Sequence, residues 1–493
     1  MYFKILLLSI FIAGCDSSGS KTVDDASTDF LDGNNNQLNY CSSEDWPDDK
    51  AAAYNRIIDC LESDYDVESK KAAIGIFIGE IKRLGGFPII SGNNVIFIYV
   101  NDPIFDQDDD SNPDEDYSLI SRLPPINVSG DFNSWILSEQ MQYLEPDFYH
   151  LKKDFSGTDI MGSSYKFISR NSSGSEVWFS DPLSERYLFD EYGRLSLIMG
   201  DTQTGHLRTL NSVYSPDLDN SRDIFVYVPP GYDQNTDTEY PVIYMHDGNN
   251  LFDTAQINSN GSWDADGVAD LEISSGNTQP FIIVGIPNNE NRMDEYTHTE
   301  DSIDGGANFI GGDSTLYAAY IVNNVKPLID EEFRTKSTRE NTAVCGSSLG
   351  GLVSYHAGLI YPNIFRYVCG MSSTFGWGEF SGDGISMEDL YRQNDIYSLD
   401  QIYYLDSGDN PSNPENPPSC PNETEAEDNY CETMSFRDML IEKGIVIFPD
   451  NPDSWPLTPE GVNIYHYYVP DAPHNESAWN SRLYRAFRFF FGQ

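Results

Sequence analysis

The residues with the clearest chemical potential lie where an apolar run meets a glycine-rich turn. Residues 343–345 are apolar, the turn reads Gly346-Ser347-Ser348-Leu349-Gly350, and a helical stretch follows over 352–359. A Gly-x-Ser-x-Gly turn between a strand and a helix holds the serine hydroxyl above the sheet, because only small residues fit on either side of it. The pattern therefore predicts that Ser348 is a nucleophile near the positive end of the following helix.

A histidine follows the last predicted strand, where the base of such a nucleophile belongs. A serine hydroxyl becomes reactive when a base takes its proton, and in a parallel-sheet fold the histidine comes after the last strand. The predicted last strand spans residues 462–469, and His474 lies in the loop after it. We therefore expect His474 to be the base. Five other histidines lack this position: His150, His206, His298, His356 and His466.

The third member of the triad is expected to be a carboxylate that orients the histidine and stabilises its charged form. The predicted strand 401–405 is followed by two candidates, Asp409 and Asp428. Asp409 is nearer the strand end, whereas Asp428 precedes a helix and lies in a loop that a Cys420–Cys431 disulfide would fold back. Asp428 is preferred over Asp409, and Asp406 is expected to hydrogen-bond within its turn.

Two backbone N–H groups are needed to stabilise the oxyanion that forms when a carbonyl is attacked. The amide of Leu349, directly after the nucleophile, is expected to be one of them. The other is assigned to Asn249, because the strand before it ends in His246-Asp247-Gly248 and the glycine permits close backbone approach. His246 and Asp247 are expected to structure this loop.

The second half of the chain predicts a mostly parallel sheet with helices on both faces. Its apolar runs are of the buried-strand type, and helical stretches such as 316–333 separate most of them. These runs are 241–245, 281–286, 342–345, 367–371 and 401–405. A serine turn after a central strand of such a sheet is where an α/β-hydrolase carries its nucleophile. The fold class is therefore α/β, with an α/β-hydrolase domain over residues 199–493.

A small β domain is predicted before it. Residues 41–85 have helical apolar spacing, and residues 86–198 contain short strands separated by turns, as in an immunoglobulin-like β-sandwich. Trp135 and Trp178 in this region are expected to pack in its core.

Five motifs in the expected order resemble the putative esterases of the enterochelin esterase and esterase D group. They are VYVPPGYD at 226–233, MHDGxNLFD at 245–253, RMDEY at 292–296, GSSLGG at 346–351 and HNExxW at 474–479. The resemblance implies an α/β-hydrolase fold and a Ser/Asp/His triad that cleaves carboxylic esters. It carries over directly to Ser348 and His474. The triad acid stays open, because relatives often have Gly-Thr-x-Asp or Gly-Thr-x-Glu where this chain has Gly408-Asp409-Asn410-Pro411 and an insertion.

The motif GDFNSW at 130–135, followed by YKF at 165–167 and DP at 181–182, resembles the early-set domains of glycogen-branching enzymes. Related domains precede the catalytic domain in enterochelin esterases and in some feruloyl esterases. Aromatic residues of some of these domains stack on sugar, but carbohydrate binding is not predicted here.

The charge of the chain excludes some partners. Lys and Arg number 29 against 79 Asp and Glu, so the formal charge is −50. Such a surface repels nucleic acid and anionic lipid headgroups. No cofactor or metal is predicted, because the acidic loop 106–114 has Ser111 and Tyr117 where a calcium-binding loop needs glycine and glutamate.

The N-terminus predicts export. Lys4 precedes a short apolar run that ends in Ile12-Ala13-Gly14-Cys15, which resembles a bacterial lipobox. The resemblance implies a signal peptide over 1–15, lipidation of Cys15, a flexible tether over 16–40, and a lipid-anchored protein of the cell envelope.

Seven cysteines are present, so six remain besides Cys15, an even number that suits an exported protein. Cys41–Cys60 and Cys420–Cys431 are predicted disulfides. Cys345 and Cys369 are expected to be neighbours in the sheet, either bonded or simply buried.

These features predict a serine ester hydrolase that acts through an acyl-enzyme. Its substrate would be a small-molecule or glycan-linked ester, such as a feruloyl, acetyl or siderophore ester. Two alternatives stay open: a non-catalytic carbohydrate-binding protein with a retired hydrolase domain, and an acyltransferase. The oligomeric state cannot be derived from the sequence.

Overall fold

The computed structural model describes residues 41, 46–101, 123–190, 192–252, 261–303, 306, 308–381, 384–409, 420, 427–448 and 463–493. The predicted signal peptide with Cys15, the tether and the acidic loop lie outside the described residues. Within the described part, no helix combines the length and the apolar character needed to span a bilayer.

Two helices open the described chain, α1 (Lys50–Glu62) and α2 (Val67–Arg83). Each begins at an aspartate whose side chain accepts an N–H group of the first turn, Asp49 for α1 and Asp66 for α2. The Cys41–Cys60 disulfide is present and ties the start of the described chain to α1. Both helices bury apolar side chains against the first sheet of the next segment.

The next segment is a β-sandwich. One sheet has four strands in the order β1-β2-β6-β5, and the other contains β9, β10, β7, β3, β4 and β8. Aromatic side chains fill the space between the sheets, among them Phe97, Tyr99 and Phe167. The strands are β1 (Ile89–Ser91), β2 (Asn94–Val100), β3 (Leu123–Gly130), β4 (Glu139–Gln140), β5 (Gln142–Leu144), β6 (Phe148–Asp154), β7 (Ser164–Arg170), β8 (Glu176–Phe179), β9 (Tyr187–Asp190) and β10 (Gly193–Leu197).

The expected core position of the two tryptophans was wrong. Trp178 is 37% exposed, and Trp135 is half-buried. The two rings lie side by side with centroids 6.3 Å apart, and with the exposed Tyr192 they line a surface cavity of about 690 Å³. Ser134 and Trp135 both have positive φ angles, 55° and 59°, so the turn after β3 directs this tryptophan away from the space between the sheets.

The hydrolase sheet runs β20-β19-β18-β17-β13-β14-β12-β11. Strands β14, β13, β17, β18, β19 and β20 are parallel, whereas β12 pairs antiparallel with β14 and β11. The strands are β11 (His206–Ser215), β12 (Asn220–Val228), β13 (Val242–His246), β14 (Ile282–Ile286), β15 (Glu300–Asp301), β16 (Ile310–Gly311), β17 (Thr342–Ser347), β18 (Tyr367–Met371), β19 (Ile402–Ser407) and β20 (Ile464–Tyr468). Strands β15 and β16 form a separate two-stranded sheet.

Helices cover both faces of this sheet, which confirms the predicted α/β-hydrolase class. On one face α3 and α10 pack on the strands, and on the other α5, α6, α7 and α9 do so. The π-helical stretch Ile321–Val325 joins α5 to α6, where the sequence predicted one uninterrupted helix. The helices are α3 (Ala265–Ser274), α4 (Arg292–Glu295), α5 (Ser314–Tyr320), α6 (Lys326–Glu332), α7 (Leu349–Ile360), α8 (Met387–Gln393), α9 (Tyr430–Glu442) and α10 (Glu476–Phe491).

The sandwich and the hydrolase sheet are connected edge to edge, which the sequence did not predict. Tyr187 of β9 pairs with Leu207 of β11, so one 14-stranded sheet runs from β20 to β4, with β8 paired to β7 off this path. Beside this junction Arg186 forms an ion pair with Asp233 at 2.7 Å, and Arg208 binds the other oxygen of the same carboxylate at 2.6 Å.

Candidate active site

Ser348 stands on a strained turn between β17 and α7. Its φ and ψ angles are 55° and −122°, a conformation that costs free energy for any residue with a side chain. Its backbone N–H donates to the carbonyl of Met371 on the neighbouring strand at 3.0 Å. A Cβ atom at Gly346 would lie 2.6 Å from the backbone of Gly350, so this crossing requires glycine. The turn is thus the geometry that the Gly-x-Ser-x-Gly pattern predicts.

A chain of polar contacts links the Ser348 hydroxyl to the candidate acid's neighbour. The hydroxyl lies 3.4 Å from Oγ1 of Thr374. Asn429, directly after Asp428, donates to the same Oγ1 at 3.2 Å and to the carbonyl of Ser372 at 2.7 Å. The elbow and the loop before α9 therefore meet at one point of the sheet edge.

His474 and Asp428 form a pair at this point. Nδ1 of the imidazole lies 2.7 Å from Oδ1 of the carboxylate. The Asp428 side chain is fully buried, whereas 37% of the His474 side chain is exposed, so the ring is accessible from the opposite side. The indole of Trp479 packs edge-on against the imidazole, with ring centroids 5.0 Å apart. A buried carboxylate behind an accessible histidine is the arrangement of a general base with its orienting acid.

The second oxygen of Asp428 is held by three donors. Oδ2 accepts the Ser372 hydroxyl at 2.8 Å, the Gly408 amide, and Nη2 of Arg482 at 3.3 Å. These contacts fix the carboxylate in one orientation and leave Oδ1 for the histidine.

The structure does not bring Asp409 to the imidazole. Its carboxylate is buried and accepts the Tyr468 hydroxyl and the Asp471 amide, the latter at 2.5 Å. Both partners precede His474, so Asp409 shapes the start of the loop that carries the histidine. Asp406, expected within its turn, instead pairs with Arg482 of α10 and with the Tyr404 hydroxyl.

The loop after β13 carries the second candidate oxyanion donor. Asp247 binds the Arg292 guanidinium through both oxygens, at 2.7 and 2.9 Å, and the Asn249 side chain accepts the Asn288 amide at 2.8 Å. Although burial raises the pKa of Asp247, Arg292 outweighs it and holds that pKa below its usual value. A Cβ at Gly248 would lie 2.7 Å from the backbone of Pro287, so the loop fits tightly against β14.

This loop also reaches the histidine segment. The side-chain amide of Asn250 donates to the Glu476 carboxylate at 3.2 Å, and Glu476 lies two residues after His474. Leu349, the other candidate donor, is the first residue of α7, where N–H groups have no partner within the helix. His246 lies 3.0 Å from the Tyr317 hydroxyl, and burial lowers its pKa to about 3, so this imidazole is neutral and structural.

Sequence reasoning missed Ser372, Arg482 and Glu432. Arg482 had a signal: it occupies the same face of the terminal helix as Trp479, Leu483 and Ala486, and a cation on an apolar face needs a buried partner. Ser372 follows β18, and its role depends on a contact with α10 more than a hundred residues away, which no local pattern indicates.

Glu432 is a second carboxyl group beside the pair. It lies in the first turn of α9, accepts the Gly376 amide at 2.9 Å and interacts electrostatically with His474. Burial raises its pKa from 4.5 to about 7. The native protein therefore retains a proton that the unfolded chain releases. Stability from this proton is present below pH 4.5 and is lost as pH rises through 7.

Glu432→Gln, which cannot titrate, is expected to match the wild type in stability near pH 4.5. At pH about 8.5 it should exceed the wild type by on the order of 2 kcal/mol. Urea unfolding at both pH values measures the difference. Glu442→Gln, which changes an exposed acid of the same helix that pairs with Arg392, is the control and should change stability little at either pH. An equal effect of Glu432→Gln at both pH values would contradict the prediction.

The predicted disulfides are present. Cys420 and Cys431 are bonded with Cα atoms 5.6 Å apart, at the start of α9. Cys345 and Cys369, left open by the sequence, are paired as a disulfide between adjacent strands β17 and β18. Among the described residues, no group of three or more His, Cys, Asp or Glu side chains is arranged to hold a metal ion.

Comparison with known proteins finds a family match in the part of the chain that contains Ser348 and Asp428. Residues 215–439 match the family model described as "Putative esterase". The chain is 30% identical over 172 residues to "Uncharacterized protein YbbA" of Bacillus subtilis (strain 168), which covers 34% of this chain and 63% of that protein. It is 26% identical over 259 residues to an "Endo-1,4-beta-xylanase/feruloyl esterase" of Xylanibacter ruminicola, which covers 50% of this chain and 30% of that protein.

A solved structure of a "ferulic acid esterase" aligns with 59% of this chain and 98% of its own length, at 17% identity and a TM-score of 0.41. The alignments with the two curated relatives cover 63% and 30% of their own lengths, so the chain spans less than two thirds of either.

Proposed function

We propose that this chain, whose residues 215–439 match the putative esterase family model, is a serine hydrolase of carboxylic esters. One observation carries the proposal. Ser348 stands on a strained elbow, in contact through Thr374 and Asn429 with the loop whose Asp428 pairs with His474. Strain of this kind persists where a side chain must be presented in a fixed position.

Acylation begins when the Ser348 hydroxyl attacks the ester carbonyl carbon. The hydroxyl proton passes to Nε2 of His474, while Nδ1–H donates to Asp428. The carbonyl π electrons move to oxygen, and the Leu349 and Asn249 amides donate to that oxyanion. The tetrahedral intermediate then expels the alcohol, which takes the proton from His474 and leaves an acyl group on Ser348.

Deacylation repeats these steps with water as the nucleophile. His474 takes a proton from water, the resulting hydroxide adds to the acyl carbon, and Ser348 leaves with the proton that His474 returns. The products are the free acid and the regenerated enzyme. The exposed side of the imidazole suits this role, because water must reach it.

Labelling with a fluorophosphonate tests the proposal, since only an activated serine reacts. We expect stoichiometric labelling of the wild type, mapped by mass spectrometry to Ser348, and none of Ser348→Ala. A folded wild-type protein that stays unlabelled would instead favour the non-catalytic binding protein. Product analysis with added alcohols or sugars distinguishes hydrolysis from acyl transfer.

We propose a glycan-linked ester as the substrate class. The surface cavity of the sandwich supports this choice, because exposed indole and phenol rings stack on the apolar faces of sugars. The named activity of the Xylanibacter relative points the same way. A siderophore lactone remains the competing substrate. We further propose that lipid on Cys15 anchors the protein in the cell envelope.

Trp178→Ala should weaken retention on feruloylated or acetylated xylan in affinity electrophoresis and lower kcat/KM on that polymer by about 10-fold. Hydrolysis of p-nitrophenyl acetate should be unchanged, because the ester is too small to reach both sites. Tyr143→Ala removes an exposed aromatic ring from the other sheet of the sandwich and is the matched control. Equal losses on polymer and small ester would argue against a role of the cavity in substrate binding.

A further inference from the structure

We propose that Arg482 is a positioning residue, which holds the Asp428 carboxylate in the orientation that His474 needs. The inference rests on the proposed function and adds to it a residue outside the triad. Arg482 lies on α10 with 1% of its side chain exposed, beneath the edge of the sheet where the triad stands.

The guanidinium joins two carboxylates that would otherwise repel each other. Its Nε donates to Oδ1 of Asp406 at 2.9 Å, and its Nη2 lies 3.3 Å from Oδ2 of Asp428. Both carboxylates have fully buried side chains. Two buried carboxylates without a cation between them would share a proton, because like charges in a poorly solvated site cannot both persist.

Arg482 also acts on Asp428 through a hydroxyl group. Nη2 donates to Oγ of Ser372 at 2.6 Å, and Ser372 in turn donates to Oδ2 of Asp428 at 2.8 Å. Trp479, which packs on His474, donates to the same Oγ at 3.1 Å. Helix α10 thus positions the acid from below and the histidine ring from the side.

The net charge of the buried cluster and His474 reaches zero when His474 takes the serine proton. Asp406, Asp428 and Arg482 sum to −1 while His474 is neutral. When His474 takes the serine proton, the sum becomes zero, so the cluster is neutral when the oxyanion forms. Losing Asp406 alone leaves the cluster neutral before proton transfer and positive after it. Losing Arg482 alone leaves the two carboxylates to share a proton. Losing both restores −1 before proton transfer and zero after it.

A double-mutant cycle tests this balance. Arg482→Met and Asp406→Asn are each expected to lower kcat for p-nitrophenyl acetate by about 100-fold, with KM changed less than about 3-fold. The double variant should recover at least about 10-fold relative to Arg482→Met. Rates of fluorophosphonate labelling should follow the same order, because labelling reports serine reactivity without turnover.

Arg488→Met is the matched control. Arg488 belongs to the same helix and binds Glu272 through two nitrogens, with Nη2 2.9 Å from Oε1, but touches no member of the triad. It should lower the unfolding midpoint without lowering kcat more than about 3-fold. Arg482→Lys keeps the cation, and should retain more activity than Arg482→Met if the methionine variant folds. If it does not fold, Arg482→Lys and Ser372→Ala carry the test, with expected losses of about 10-fold each.

Three results would overturn the inference: wild-type labelling rates in folded Arg482→Met, a double variant no better than Arg482→Met, or an equal kcat loss in Arg488→Met. If Arg482→Lys and Ser372→Ala carry the test, a wild-type kcat in both variants would also overturn the inference. An unreactive wild-type protein is a distinguishable outcome, because it removes the proposed function itself and this inference with it.

Discussion

Ser348→Ala is expected to lower kcat for p-nitrophenyl acetate by about 10⁴-fold or more, because the covalent route through the acyl-enzyme is lost. The fold should be retained, since alanine is smaller than serine and, among the residues that the structure describes, the hydroxyl has one hydrogen-bond partner, Thr374 at 3.4 Å. Steady-state kinetics with a thermal unfolding curve measures both effects.

The neighbouring serine provides the control. Ser347 ends β17 with its side chain buried, whereas Ser348 occupies the strained position of the turn. Ser347→Ala should therefore retain activity within about 10-fold. If Ser348→Ala were as active as the wild type, the assignment of Ser348 as the nucleophile would be wrong. The same would follow if Ser347→Ala lost as much activity as is expected for Ser348→Ala.

Asp428→Asn is expected to lower kcat by about 10³- to 10⁴-fold at neutral pH. An amide in place of the carboxylate neither favours the tautomer with a proton on Nδ1 nor stabilises the imidazolium. Kinetics near pH 8 on a small ester measure the loss, with circular dichroism as the check on folding.

Asp409→Asn is the matched control, because the same chemical change removes a buried carboxylate on the other side of the insertion. Its partners are Tyr468 and Asp471, so the expected loss is about 10-fold or less. If Asp409→Asn lost more activity than Asp428→Asn, the role of triad acid would pass to Asp409.

Much of the fold could be predicted because it depends on local patterns. Buried parallel strands read as apolar runs, the helices between them have a different period, and a nucleophile elbow requires small residues at fixed spacing. The position of His474 followed from chain order alone. The same reasoning reached the loop of Asn249, since a strand that ends at a glycine near a helix start indicates a tight turn.

The choice of acid and the cluster beneath it could not be predicted in the same way. Asp409 and Asp428 are separated by an insertion, and the sequence alone does not show which of the two carboxylates reaches the histidine. The link between Arg482 and Ser372 joins residues 110 positions apart. A contact of that range depends on how α10 packs against the sheet, and no sequence period encodes it.

The tryptophans show why an apolar ring does not imply a core position. Strand β8 alternates, so one register places Trp178 inside and the next places it outside, and the sequence of four residues does not distinguish them. The neighbouring Phe179 takes the buried position. For Trp135 the decisive factor is the positive φ of the turn before it.

The edge-to-edge junction of β9 with β11 fixes the distance between the aromatic cavity of the sandwich and Ser348. Domains joined by a linker usually change their relative orientation, whereas strands that share a hydrogen-bonded sheet and the Arg186–Asp233 ion pair turn as one piece. If the proposed glycan substrate is held at the aromatic cavity, its ester would then meet Ser348 at a fixed distance from the bound sugar. The enzyme would select esters by their spacing along a chain as well as by their chemistry.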